Sequence, residues 1–425
     1  MKKRLAIVGT GISGLACGYF LQQEFDIQLF EKNSHVGGHS LTIDVVDNSV
    51  KIPIDMGFMV FNRQTYPNLF RLFQELNVPI KNADMSFSVQ HFPLGIEYCG
   101  SSLNQLFAQR KNLIRPKFWR MLLQINRFNK EAVATLQSGE FDSFTLAEYV
   151  KEKKYGDDFL NLYIIPMSAA IWSIPSEVAM EFPVISLLQF FYNHGFLGMS
   201  TQHQWLTPDG CSRNYVEKIT ASFKNHIRLG ESVTGIVRTN GKATIITQNG
   251  TKEVFDKVIL ASHADQSLRV LDHPSALEEN LLGKFKYQKN IGTLHTDSRQ
   301  MPKRKLCWSS WNCLIKGDYS SNGYPQTLYW INSIQNFSAK DNYFVTINGV
   351  KDINEKKIIK QVEFEHPIFS RSSIDVQKDL HILNQSSGDQ TVYFCGSYFK
   401  YGFHEDGLNS ALDLCSRILR RPLWN

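Results

Sequence analysis

The sequence predicts an α/β protein built around a parallel sheet, and three observations carry that expectation. The apolar run Leu5-Ala6-Ile7-Val8 leads into the loop Gly9-Thr10-Gly11-Ile12-Ser13-Gly14 and then an amphipathic stretch ending near Phe25. A second apolar run, Ile27-Gln28-Leu29-Phe30, stops at Glu31. Residues 255–261 are almost continuously apolar, as a parallel strand buried on both faces should be, and residues 391–396 read the same way near the C-terminus.

The N-terminal elements are a strand, a glycine loop, a helix and a second strand closed by an acid. Gly9 permits a tight turn, Gly11 lets a phosphate approach the backbone, and Gly14 lets the helix lie close on the strand. An anion would then sit on the helix N-terminus, where free N–H groups and the positive dipole end converge. Glu31 falls at about the ~20-residue spacing expected of a carboxylate that holds a ribose 2′-OH. Together these features predict a Rossmann-type dinucleotide site. Gly37-Gly38, shortly after that acid, are a pairing found in flavoproteins, where backbone passes the dinucleotide's phosphates.

The chain has 425 residues, 43% hydrophobic and 12% aromatic, enough for two or three domains at about 150 residues each. Residues 1–65, 205–265 and 385–425 are read as one discontinuous nucleotide-binding domain. Residues 66–204 and 266–384 are read as an inserted α+β substrate domain. The charge of +6, from 46 Lys and Arg against 40 Asp and Glu, contains no long basic block, which argues against a nucleic-acid partner. Seven cysteines without framework or metal-ligand spacing suggest reduced thiols and a cytoplasmic setting. The basic start, Met1 to Arg4, imitates a signal segment, but its glycines interrupt the apolar region and its removal would delete the nucleotide loop. No run approaches the ~20 apolar residues of a spanning helix, so membrane contact would be peripheral.

Along the chain, residues 54–61 read as a strand whose Gly57 brings main chain close to a planar ligand. From 66 to about 192 the spacing turns helical, with Leu69, Phe70, Leu72, Phe73 and Leu76 on one face. Thr145 and Glu148 have capping-box spacing. Residues 157–200 are rich in aromatic and aliphatic side chains, which are core residue by residue but as a group allow an apolar tunnel. Further strands are expected at 227–229, 232–238, 243–248, 292–295, 306–312, 327–334, 343–348 and 361–365, with a turn at 320–323. A helix is expected over 408–419.

In this order, the glycine loop, Gly37-Gly38, Asp55-Met56-Gly57, residues 255–261 and the closure Gly396…Glu405-Asp406-Gly407 resemble the FAD-dependent amine-oxidase-like superfamily over essentially the whole chain. A closer likeness is to a family of NAD/FAD-binding proteins associated with cyclopropane-fatty-acid-synthase-like methyltransferases. It rests on Tyr66-Pro67-Asn68, Asp84-Met85-Ser86-Phe87-Ser88-Val89, Ala170-Ile171-Trp172-Ser173, Asn193-His194-Gly195, Leu294-His295-Thr296-Asp297, Ser309-Ser310-Trp311-Asn312, Tyr329-Trp330-Ile331-Asn332 and Gly402-Phe403-His404-Glu405-Asp406-Gly407.

The resemblance implies FAD held by Gly9, Gly11, Ile12, Ser13, Gly14, Glu31, Lys32, Gly37, Gly38, His39, Met56, Gly57, Phe58, Val233, Gly396, Phe403, Glu405, Asp406 and Gly407. The stretch Phe364-Glu365-His366-Pro367-Ile368-Phe369 lacks the cysteine that tethers flavin in some monoamine oxidases, which implies non-covalent FAD. Phe403 stands where those enzymes carry a cage tyrosine. Their lysine near the flavin has no clear counterpart: Lys286 and Lys289 are close, and Asn290 is a candidate for the position itself. Gly396-Ser397 replaces the Gly-Asp that often holds the ribityl chain. His194, His295, His404 and Glu405 are candidates for orientation or proton transfer, His404 first. The expected activity is an FAD oxidoreductase acting on an apolar, lipid acyl substrate. An isomerase, an amine oxidase and a non-catalytic partner of a lipid methyltransferase stay open, as does peripheral membrane association. No metal site is expected.

Overall fold

The computed structural model describes residues 1–172, 179–198, 201–317, 325–385 and 390–424. The expected turn at 320–323 and Ser173 of the Ala170–Ser173 segment lie outside the described residues. A five-stranded parallel sheet is assembled from β1 (Lys3–Val8), β2 (Phe25–Glu31), β3 (Ile227–Leu229), β4 (Lys257–Leu260) and β5 (Val392–Phe394), in the order β3-β2-β1-β4-β5. Ile7 lies opposite Leu29 on one side and Ile259 on the other. Leu5, Ala6, Ile7, Val258, Ile259 and Leu260 are fully buried. Burial on both faces explains why these runs do not alternate.

Helices cover the sheet. Helix α1 (Ile12–Leu21) packs on α5 (His404–Leu419) and on α4 (Ser212–Thr220), and α2 (Pro67–Glu75) packs on α5, while α3 (Val184–Asn193) packs on the helix Pro116–Ser138. Cys17 of α1 and Cys395 after β5 hold their sulfurs 3.8 Å apart, and all seven cysteines are free and buried. The second large sheet has seven strands, in the order Ile358–Ile368, Lys286–His295, Phe344–Ile347, Gln326–Trp330, Trp311–Ile315, Phe87–His91 and Ile96–Cys99. Asp55 ties the two parts together. Its carboxylate accepts from Ser212 N at 2.9 Å at the start of α4, and its N–H donates to Gln335 at 2.9 Å.

Several expected boundaries move. The stretch from 66 to 192 is not all helical, because strands Ile80–Ala83, Phe87–His91 and Ile96–Cys99 interrupt it. In these short segments pairing to a distant sheet overrides the helical spacing around them. The strand over 255–261 is two pieces, Lys252–Phe255 and β4, with Asp256 turned to exchange hydrogen bonds with the backbone of Arg4 between them. The expected strand over 54–61 ends at Asp55. The strands over 306–312 and 327–334 appear at Trp311–Ile315 and Gln326–Trp330, with a helical turn at Ile331–Ile334. Helix α5 begins at His404, four residues before the sequence places it. The Thr145–Glu148 capping box forms.

Candidate active site

The three loop glycines do three different jobs. Gly9 takes φ +101°, a left-handed turn, and a Cβ there would sit 2.7 Å from the carbonyl oxygen of Ala261. A Cβ on Gly14 would sit 2.0 Å from the carbonyl oxygen of Gly9, so the helix closes on its own loop. Gly11 differs from both. Its φ of −64° suits any residue, yet a Cβ there would have no heavy atom within 4 Å. Glycine at this position therefore preserves space, not conformation. That space faces the start of α1, which has neither a side-chain cap nor an acid in its first turn. An uncapped first turn leaves N–H groups for an anion, so the residues fit a pyrophosphate.

The neighbouring elements wrap the loop. Gly37 N donates to Thr10 O at 3.1 Å, and a Cβ on Gly38 would lie 3.2 Å from Gly11 Cα. Glu31 Oε2 accepts from Thr10 N and Oγ1, at 3.0 and 2.6 Å, while Oε1 accepts from Asn33 N and Nδ2, at 2.9 and 2.8 Å. Its carboxylate shapes the loop, and a ribose hydroxyl would have to join an already occupied set of partners. Lys32 is exposed beside it. Gly230 N and Glu231 N donate to the carbonyls of Asn33 and Glu31, which brings Val233 alongside, buried in the same core as Phe30.

Helix α5 meets α1 head to head. Ser13 Oγ donates to Gly407 O at 2.8 Å, and a Cβ on Gly407 would come 3.0 Å from Ile12. Gly396 N donates to Ser410 Oγ at 2.9 Å, fixing the end of β5 on the same helix. The acids at the start of α5 do not face this junction with their side chains. Glu405 accepts from Asn68 N and Leu69 N, both at 2.9 Å, and so caps α2. Asp406 accepts from Phe403 N at 3.0 Å, and burial raises its pKa to about 7. Proton transfer by the Glu405 side chain is thereby corrected, since both of its oxygens serve a helix end. What Glu405, Asp406 and Gly407 offer a ligand is backbone.

His404 lies 3.9 Å from Phe58, ring on ring, and its Nε2 meets Tyr215 OH at 2.8 Å and Ser40 Oγ at 3.0 Å. Burial lowers its pKa to about 3, so it is a neutral, positioned imidazole. Phe58 N donates to His39 O, and a Cβ on Gly57 would lie 2.2 Å from that same oxygen. The close approach that requires Gly57 is thus to main chain. The Met56 side chain is buried with Ile54, Val345 and Phe364, away from the loop.

Sequence reasoning named His39 as a cofactor residue but missed the imidazole cluster that His263 and His366 form with it beyond the parallel sheet. The ring of His39 lies 5.3 Å from that of His366 and 6.4 Å from that of His263. His263 stacks on Tyr287 at 4.2 Å and faces Glu365 at 3.4 Å. Burial lowers His366 to about 4 and His39 well below its usual value. His366 Nδ1 is held 2.7 Å from Asn290 Nδ2, and Asn290 is fully buried, whereas Lys289 faces out to Glu363 at 2.9 Å and Lys286 is exposed. Asn290 is thus the inward residue of the three. The signal for His263 was available: it follows a parallel strand, where ligands of open α/β sheets bind.

On the other side of Phe403 stands an aromatic wall. Phe190 stacks on Phe403 at 5.2 Å and on His194 at 3.9 Å, and His194 stacks on Trp205 at 5.8 Å. His194 Nδ1 is bonded to Phe190 O, and burial lowers its pKa to about 4. The aromatics of 157–198 mostly pack against one another: Phe159 and Phe191 are fully buried, and Trp172 is 7% exposed. They form core rather than the walls of an open tunnel. Two clefts, of about 480 and 360 Å³, are lined by α1, α2, α5 and the residues after α5, among them Phe20, Asn68, Arg71 and Leu423. His295 is likewise structural, bonded to Thr346 Oγ1 at 2.7 Å and Asp297 N at 3.1 Å inside the seven-stranded sheet. Among the described residues no group of three His, Cys, Asp or Glu could hold a metal.

The profile of the flavin-containing amine oxidoreductase family matches residues 12–298, more than half of the chain. No curated protein sequence matches significantly. Among solved structures the chain is similar to cyclohexylamine oxidase from Brevibacterium oxydans IH-35A, with TM-score 0.70, 13% identity and 99% of each chain covered. It is also similar to putrescine oxidase bound to putrescine, with TM-score 0.67, 13% identity and 99% of this chain against 100% of that one. A fatty acid isomerase from P. acnes that produces CLA gives TM-score 0.67 and 14% identity over 98% of each chain. Among the described residues no helix is long and apolar enough to cross a membrane. The chain belongs to the flavin-containing amine oxidoreductase family and is an FAD-dependent oxidoreductase.

Proposed function

We propose that this oxidoreductase acts on an apolar substrate, a lipid acyl chain. The observation that carries the reading is the Phe190–Phe403–His194–Trp205 wall beside the start of α5. Such a wall offers contact area and no ionised partner. His194 is neutral through burial, Asp406 is bonded to Phe403 N, and Glu405 caps α2, so neither of these two carboxylates is free at that wall to receive an ammonium group. On the cofactor side, Asn290 and His366 present neutral polar groups where Lys286 and Lys289 turn away. FAD, when bound, supplies an acceptor for two electrons. The chain's part is to exclude water and hold the apolar group in place. Burial of an acyl chain contributes about 0.8 kcal/mol per CH₂.

Titration of the purified flavoprotein with fatty acids, phospholipids and a panel of amines, followed by flavin absorbance under nitrogen, tests this. Perturbation or bleaching of the flavin by lipids is the expected result. Bleaching by amines with silence toward every lipid would overturn it, and a rearranged lipid double bond without net flavin reduction would assign the isomerase instead.

A further inference from the structure

We propose that the surface formed by residues 103–123 docks this protein on an anionic lipid bilayer. Within it stand Leu103, 68% exposed, Ile114, 84% exposed, and Leu123, 67% exposed, together with Leu113 and Trp119. These residues form one patch. Trp119 Nε1 donates to Leu113 O at 2.9 Å, its ring lies 5.4 Å from that of Phe107, and Leu123 follows one helical turn later. Soluble proteins rarely leave so many large aliphatic groups together in water, and a neighbouring surface normally covers them.

Charge selects the occupant. Between residues 91 and 130 the chain has a single carboxylate, Glu97, and that one is buried and paired with Arg304. From outside that stretch Asp158 pairs with Arg120 at 2.7 Å, which leaves Arg110, Lys111 and Lys117 exposed around the apolar groups, the guanidinium of Arg110 bonded to Phe107 O and Asn104 rather than to an acid. Apolar side chains, an indole and a fringe of lysine and arginine are the combination that lies in a headgroup layer, with the aliphatic stems buried and the cations at the phosphates. A protein partner would need acids around an apolar knob. The bilayer supplies both components everywhere.

The position of the patch adds to the argument. It includes the first turns of the helix Pro116–Ser138, whose middle packs on α3 through Phe128 and Phe191, and Phe190 of α3 stacks on Phe403. The first half of one helix, about 18 Å, therefore joins the docking surface to the element that carries the aromatic wall. The link to an acyl substrate rests on the function proposed above, but docking itself does not. It is measured without turnover, so either reading can fail alone.

Co-sedimentation of the full-length holoprotein with phosphatidylglycerol and with phosphatidylcholine vesicles is the test. Binding should favour the anionic vesicles and weaken as salt screens the lysines. The double variant Ile114→Glu/Leu123→Glu should lower the partition coefficient roughly tenfold or more, and Lys111→Glu/Lys117→Glu should abolish the preference for phosphatidylglycerol. Leu277→Glu, at another exposed leucine, should bind as the wild type does. All five positions are exposed, so flavin content should stay at the wild-type value and report intact folding. Equal vesicle binding by wild type and Ile114→Glu/Leu123→Glu, or no vesicle binding by wild type, would overturn the proposal. A lipid-free wild-type dimer that the same double variant turns into monomer would assign the patch to a second copy of this chain and overturn it equally.

Discussion

The two sides of Phe403 are built by different means. On the α1 side the site is main chain: glycines placed for a turn, for open space and for close packing, with helix ends aimed at one point. On the α3 side it is side chains: Phe190, His194 and Trp205 stacked from segments that are adjacent only in the fold. A backbone site tolerates almost no substitution because a Cβ cannot be moved aside. A stacked wall can be repacked, so it is where substrate preference is free to change within one cofactor fold.

That contrast breaks first at the glycines. Gly14→Val should cost folded protein as well as flavin, because its Cβ meets a backbone oxygen at 2.0 Å. Gly11→Leu should fold as the wild type does and carry no FAD, since its backbone is ordinary and only the open space is filled. Circular dichroism, thermal melting and flavin content of the two proteins separate these outcomes. Wild-type FAD content in Gly11→Leu would remove the loop from the site.

Acid sharpens the comparison, because buried imidazoles stand on both sides. His194, His295 and His366 are lowered to about 4 and His404 to about 3, all by burial. Below about pH 6.5 the unfolded chain takes up protons that these folded residues refuse, so stability is full above that pH and lost as it falls toward 4. Each contributes up to about 1.4 kcal/mol per pH unit. Asp55 and Asp406, raised to about 6 and 7 by burial, oppose this because they bind protons earlier in the folded chain. With His39 also lowered and Glu405 also raised, both by burial, five imidazoles outweigh three carboxylates, so urea midpoints should fall between pH 7 and 5. His194→Gln should recover about one imidazole's share. A midpoint that does not move between those pH values would show that the imidazoles are not held neutral.

The smallest effect on the cofactor is expected at the wall. Phe190→Leu removes ring contacts to His194, Phe403, Trp172 and Phe196, each worth about 0.5–1.5 kcal/mol beyond the area that leucine keeps buried, and should lower the melting temperature while leaving FAD content unchanged. Its lipid-induced flavin perturbation should weaken. Loss of FAD in this variant would mean that the two sides are one unit.

The same division governs what could be read in advance. The glycine loop, β2 ending in Glu31, and β4 were legible because local backbone demands leave their mark on adjacent residues. The His39–His263–His366 cluster was not, since its members lie on three separate segments and an isolated histidine carries no address. Glu405 is a subtler miss. An acid at a helix start reads the same whether it faces a ligand or caps a neighbour, and only the placement of Asn68 and Leu69 decides. The strands within 80–99 were hidden by the strong helical spacing of the residues before them, including Leu69, Leu72 and Phe73.

The order of the parallel sheet bears on how the protein comes into being. Its central strand precedes the other four in the chain, yet β4 pairs with it only after some 250 residues, and β5 and α5 complete the junction at Gly407 from some 130 residues beyond β4. Contacts so distant in sequence close slowly, because loop entropy must be overcome before they stabilise anything. On a ribosome the glycine loop must wait, unliganded, until the start of α5 has emerged some 390 residues later. FAD then acts as a late ligand of the native state alone, and cellular flavin supply would set how much of the finished chain is held folded.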